Sequence, residues 1–154
     1  SRRRGPEQKL AGQEEVKMVT AKLIHHQLLV VNDVDNTRDF YGRILGLTEI
    51  KRPNTNRPGL WFGCLSNEVH ISVRPDIIKG RPTGLSLQPG EREGREGRHL
   101  AFTMDGSLDE VAQMLEGEGI PYVRGTAGLP QIFCEDPAGN LIELNTGWKQ
   151  EPVR

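Results

Sequence analysis

With 154 residues, 20 Lys and Arg against 21 Asp and Glu, and a formal net charge of -1, the chain has the size of one domain or of two small modules sharing a core. The interspersed charges give no basic surface for nucleic acid or an anionic membrane, and no apolar run approaches the length that crosses a bilayer. Cys64 and Cys134 both lie in strand-like apolar surroundings, where free thiols in a reducing compartment are the commoner state, so a cytoplasmic location is expected.

Residues 1–21 begin with a basic, polar stretch that lacks a secretory apolar core and reads as an N-terminal extension. From Lys22 the apolar pattern starts with the strand "LIHHQLLVV". A helix "DVDNTRDFYGRILGL" follows, with acids at its start, Phe40, Tyr41, Ile44 and Leu45 on one face, and Gly46 placed to end it. Three strands, "LTEIKR", "LWFGCL" and "EVHISV", complete a first module over residues 22–74. Residues 75–97 are rich in Gly, Pro and charge and read as a linker, either a lid or a plain spacer. The second module, residues 98–148, runs through the strand "HLAFTM", a helix "SLDEVAQMLEGEG" opened by a Ser107/Glu110 capping box, and the strands "PYVRG", "QIFCED" and "LIELN". Residues 149–154 form a tail. Both modules read β-α-β-β-β, giving an α+β fold in which a cup-shaped mixed sheet carries its helices on the outer face.

The duplication singles out residues. An offset of 73 positions places His26 on His99 and His70 on Glu143, so each module has one candidate ligand on its first strand and one on its last. Around the second pair "SNEVHIS" lies over "GNLIELN". If a pseudo-twofold axis relates the modules, these side chains converge. Two histidines and a carboxylate suit one divalent Fe, Mn, Ni, Co or Zn ion, with His70 as a fourth ligand. His25 points opposite to His26, because side chains alternate along a strand, and is matched by Arg98. The plain alternatives are a hydrogen-bonded strand-end histidine and a Glu143 paired with an arginine.

Strand phase adds neighbours: Leu28 and Val30 share the face of His26, Ala101 and Thr103 that of His99, Ser72 that of His70, and Leu141 and Asn145 that of Glu143. Of these, Leu28, Ser72, Thr103 and Asn145 are the candidate substrate-binding residues. Trp61 or Phe62 offers an aromatic wall, or is plain core. Asp136 and Pro137 initiate a turn in which Gly139 or Asn140 takes positive φ before the strand of Glu143.

At "HQLLVVNDVDNTRDFYGRILGL" and "EDPAGNLIEL" the sequence resembles the vicinal oxygen chelate superfamily of glyoxalase I, methylmalonyl-CoA epimerase, extradiol dioxygenases, and fosfomycin- and bleomycin-resistance proteins. The resemblance implies metal binding at His26, His99 and Glu143. The position of His70 is often Glu or Gln in the isomerase and lyase branches, and Leu28 stands where the fosfomycin branch resembles a threonine donor. It also implies a homodimer in which modules of different chains complete a site, with a small molecule as the partner.

The leading expectation is a metal-dependent enzyme that chelates a substrate with vicinal oxygens and performs lyase or isomerase chemistry through a metal-stabilised enolate, with Glu143 as base. An Fe(II) extradiol-type dioxygenase is the alternative if His70 does not ligate. A metal-free, bleomycin-resistance-like binding protein is the other.

Overall fold

A computed structural model of the chain describes residues 19–78 and 98–153. Most of the expected N-terminal extension and linker, residues 1–18 and 79–97, lies outside the described residues. Residues 19–25 have no regular structure, and the part of the linker segment that is described, Pro75–Ile78, forms a short helix, α2.

The first half runs β1 (His26–Val31), α1 (Val34–Arg38), β2 (Thr48–Ile50), β3 (Gly59–Cys64) and β4 (Asn67–Val73). The second runs β5 (Leu100–Thr103), α3 (Leu108–Gly117), β6 (Tyr122–Arg124), β7 (Gln131–Glu135) and β8 (Leu141–Asn145). Each half makes a four-stranded mixed sheet, in the order β1-β4-β3-β2 and β5-β8-β7-β6. The first and last strands of each half pair in parallel and the remaining neighbours antiparallel.

The register repeats as well as the order. Leu28 pairs with His70 in the first sheet and Ala101 with Glu143 in the second, the same offset of 73 positions. Residues 70 and 143 therefore occupy equivalent places on equivalent strands.

The first helix is shorter and less regular than its apolar pattern suggests. Asp33 caps it by accepting from the Asn36 amide at 2.7 Å, and after Arg38 the backbone widens into a π-helical segment, Asp39–Ile44. The wider turn has a packing reason. Leu45 N–H bonds the Phe40 carbonyl, five residues back, so that Phe40 and Tyr41 both turn inward, and Gly46 at φ +75° ends the segment. α3 follows its sequence more closely, with the reciprocal Ser107/Glu110 capping box in place.

Alternation along the strands sets a common core. Val69, Ile71 and Val73 of β4 and Ile142 and Leu144 of β8 point the same way as Tyr41, Phe62, Phe102 and Leu115, and one apolar cluster spans both halves. Each such fully buried side chain contributes about 1.5–3 kcal/mol. The opposite face carries Glu68, His70 and Ser72 in the first sheet and Leu141, Glu143 and Asn145 in the second.

A buried polar contact joins the halves. Tyr41 Oη donates to Asp136 Oδ2 at 2.7 Å, and Asn140 Nδ2 donates to the Val30 carbonyl at 3.0 Å. Burial, reinforced by the Asp136 carboxylate, holds the Tyr41 hydroxyl well above the usual phenol range. Arg43 adds an exposed link, bridging Asp39 and Glu118. Among the described residues no helix is long and apolar enough to cross a membrane.

Tyr41→Phe leaves Asp136 one donor short in the interior and is expected to lower stability by about 1–3 kcal/mol, read as a lower urea midpoint at unchanged m. The tip of the β3–β4 hairpin supplies an opposite case: Leu65 is fully exposed at φ +52°, the left-handed region that costs an L-residue about 1–2 kcal/mol. Leu65→Gly should therefore raise the midpoint. Cys134 is buried, which pushes its thiol up to about 12, whereas Cys64 is only half-buried. At pH 8 a thiol of that pKa is ionised in about one molecule in 10⁴. Iodoacetamide is expected to label Cys64 first and Cys134 only on unfolding, as mass spectrometry of timed digests would show.

Candidate functional site

The first sheet places His26 at the start of β1 and His70 in the middle of β4, on one face. Their rings stack at 4.1 Å between centroids, and Trp61, the cross-strand partner of His70, stacks on His70 at 3.8 Å. The histidine at position 70 is thus sandwiched between an indole and an imidazole. Its Nε2 lies 2.6 Å from Glu68 Oε2. That contact holds the Glu68 carboxyl below the usual carboxylate range, with lesser help from the charges of His25, His70 and His26. His25 precedes β1, and although strand alternation would turn it away from His26, its Nδ1 lies 3.1 Å from Nδ1 of His26 and its carbonyl accepts from the Glu68 amide.

The second sheet assembles a different set. Glu143, 3% exposed, has one carboxylate oxygen held by two amides: Gln131 Nε2 and Asn145 Nδ2 each donate to Oε1 at 3.0 Å. The other oxygen, Oε2, lies 3.0 Å from His99 Nε2. Phe133, which pairs with Glu143 across β7 and β8, meets the His99 ring edge-on, and Leu141 packs with Phe133 and Val123 beside it. Asn145 is fully engaged: its Oδ1 accepts from Thr103 Oγ1 at 2.9 Å and from the Gly147 amide at 3.0 Å. A hydrogen-bonded chain therefore runs from Thr103 through Asn145 to Glu143, whose other oxygen lies against His99.

The Asp136 turn aims this strand. Asp136 Oδ1 accepts from the Ala138 and Asn140 amides, Gly139 takes φ +84°, and the chain enters β8 two residues before the carboxylate-bearing position.

The four sequence-derived ligands thus stand in two pairs, His26 with His70 and His99 with Glu143. Among the described residues no three His, Cys, Asp or Glu side chains are grouped closely enough to hold a metal ion. The donor chemistry nonetheless suits a divalent ion, with imidazole nitrogens and a carboxylate whose second oxygen is already held by amides in the manner of an oriented ligand. Of the substrate-facing candidates, Leu28 is 55% exposed, Thr103 is also exposed and Ser72 partly so, while Asn145 is buried against Glu143. Trp61 lies on the histidine face and Phe62 in the core.

Two participants were not evident from the repeat, Glu68 and Gln131. Glu68 stands two residues before His70 on the same face, but its counterpart in the second half is Leu141, so the offset hides it. Gln131 is recognisable only from the register, which sets it opposite Asn145.

The glyoxalase/bleomycin resistance protein/dioxygenase superfamily profile matches residues 23–144. The chain belongs to that superfamily. It is 29% identical over 127 residues to Glyoxylase I 4 of Arabidopsis thaliana, covering 79% of this chain and 68% of the relative. It is also 28% identical to a virulence protein of Salmonella typhimurium, covering 86% and 88%. Among solved structures, a glyoxalase family protein from Bacillus anthracis matches with a TM-score of 0.64 at 27% identity, covering 83% of this chain and 97% of that one. Lactoylglutathione lyase from Agrobacterium tumefaciens matches at 0.56 and 25%, covering 81% and 93%.

Asn145→Ala strips a donor from a buried carboxylate and is expected to cost about 1–3 kcal/mol in urea unfolding. Leu28→Ala, on the exposed face, should stay within about 0.5 kcal/mol.

Proposed function

We propose that the protein is a metal-dependent superfamily enzyme acting on a small molecule with adjacent oxygens, with lyase or isomerase chemistry centred on Glu143. The observation that carries this reading is the buried Glu143 carboxylate, fixed through one oxygen by Gln131 and Asn145 while the other faces His99. His26, His99 and Glu143, with His70 as a fourth, would hold one divalent ion. Bound there, that ion would act as a Lewis acid on the substrate oxygens.

The chain's own residues account for the remaining roles. A carboxylate beside Leu141 and Phe133, shielded from water and held in one orientation, is suited to taking a proton next to a carbonyl. Glu68 on Nε2 of His70 fixes that ring's tautomer and leaves Nδ1 as its donor atom. Leu28, Ser72 and Thr103 line the accessible part of the two faces, and Trp61 supplies an apolar wall.

The separation of the ligand pairs supports a homodimer in which the first sheet of one copy meets the second sheet of another. β1 is an outer strand whose His26 and Leu28 are exposed, as a surface awaiting a partner would be. The free thiols Cys64 and Cys134 agree with a cytoplasmic setting.

The stacking of His70 between Trp61 and His26, with Glu68 on its Nε2, also favours a second reading in which position 70 is a pocket wall and the ion has three ligands, as a dioxygenase requires. Elemental analysis separates the two. Near-stoichiometric metal per chain is expected in wild type and a clear loss in Glu143→Ala, in a particle of dimer mass by light scattering; loss in His70→Ala selects the four-ligand site, and retention the three-ligand one. A monomer that takes up no metal on reconstitution would defeat the enzyme reading. Lactoylglutathione is the first substrate to try, and on any substrate that turns over, Glu143→Gln should lower kcat/KM by about 10²- to 10⁴-fold.

A further inference from the structure

Arg52 lies in the loop between β2 and β3, partly buried, with its guanidinium laid over the start of β3. Arginines 38, 43, 74 and 124 each meet a carboxylate within 4 Å, whereas the exposed Arg57 and Arg98 meet none among the described residues. Arg52 meets none among the described residues; its Nη2 donates to Thr55 Oγ1 at 2.5 Å, which orients the group without neutralising it. A planar fork with unused donors on a partly covered surface suits an oxyanion.

Gly59 makes this placement possible. A Cβ there would collide with the Ile71 carbonyl oxygen and lie 3.1 Å from Arg52 Cζ and 3.2 Å from its Nε. Gly59 pairs with Ser72 just as Trp61 pairs with His70, so the strand position over which the guanidinium lies is the cross-strand partner of Ser72, two residues along the same register from the Trp61–His70 stack. Two residues of strand separate the pairs, about 7 Å. The other half has used the equivalent position differently. There Gln131 faces Asn145 and is engaged with Glu143, whereas in the first half the glycine leaves room for a cation.

We infer that Arg52, with Ser72, is a subsite for a carboxylate or phosphate group of the substrate, about 7 Å from the atoms held at His70. The inference rests on the proposal that the histidine face receives substrate, and it narrows the substrate class to small acids whose chelating oxygens and anionic group are separated by several bonds.

The test is titration of the full-length protein with inorganic phosphate and, separately, acetate at constant ionic strength, following the Trp61 indole N–H by NMR with Trp148 as internal reference. It is run as purified and again after dialysis against a chelator, on wild type, Arg52→Gln and Arg57→Gln, with metal content measured for each. The expected result is a saturable Trp61 shift, present with and without metal, weakened about tenfold or more in Arg52→Gln and retained in Arg57→Gln. Whichever anion saturates at lower concentration identifies the group. No shift in wild type, equal loss in Arg57→Gln, or a shift that survives Arg52→Gln and disappears on chelation would each overturn the subsite. Absence of metal from wild type with this binding intact would instead count against the metal-centre reading alone.

Discussion

The buried Asp136 carboxylate is the point on which the rest of the structure depends. It accepts from the Ala138 and Asn140 backbone amides, from Asn140 Nδ2 and from the Tyr41 hydroxyl, so one side chain closes a turn, starts β8 and ties the second half to the helical segment of the first. Asn140 extends the clamp by donating to the Val30 carbonyl at the end of β1. A carboxylate taken out of water needs such a set of donors, and the set is supplied by elements far apart in sequence. Two of the strands that carry candidate ligands, β1 with His26 and β8 with Glu143, are anchored by it.

Beyond that clamp the two halves use equivalent positions in opposite ways. In the second sheet, Glu143 is buried and held by two side-chain amides, which fixes its carboxylate in one orientation. In the first, the matching His70 is part of an aromatic stack with Trp61 and His26. Gly59 and Gln131 show the same divergence, one opening a gap beside its strand and the other filling it with a hydrogen bond to the Glu143 carboxylate. A duplicated framework therefore presents one rigid, acidic face and one more open, aromatic and cationic face.

Much of this was legible in the residues. The capping box at Ser107, the glycine stop at Gly46, the Asp-Pro turn and the strand "LIELN" each rest on local chemistry that the surroundings do not override, and the structure places them where the pattern puts them. The 73-residue offset was visible for a related reason: strand pairing fixes register, and a slip of one residue would turn every core side chain outward. The first helix was less legible. Its apolar spacing is compatible with a regular helix, and only the need to bury both Phe40 and Tyr41 against a core drawn from both halves selects the wider π-helical turn.

By itself, then, the sequence determined the order of elements, the equivalence of positions 70 and 143 and the family to which the chain belongs, because hydrophobic period, turn chemistry and capping act over a few residues. Only the tertiary structure decided which side chains meet. That Glu143 is held by Gln131 and Asn145, that Glu68 takes Nε2 of His70, that the candidate ligands stand as two pairs, and that Arg52 finds room over Gly59 all depend on register between strands and on the packing of two sheets. These contacts join residues from 2 positions apart, as Glu68 and His70, to 44 apart, as His99 and Glu143, and their geometry is set by the common core rather than by any local rule.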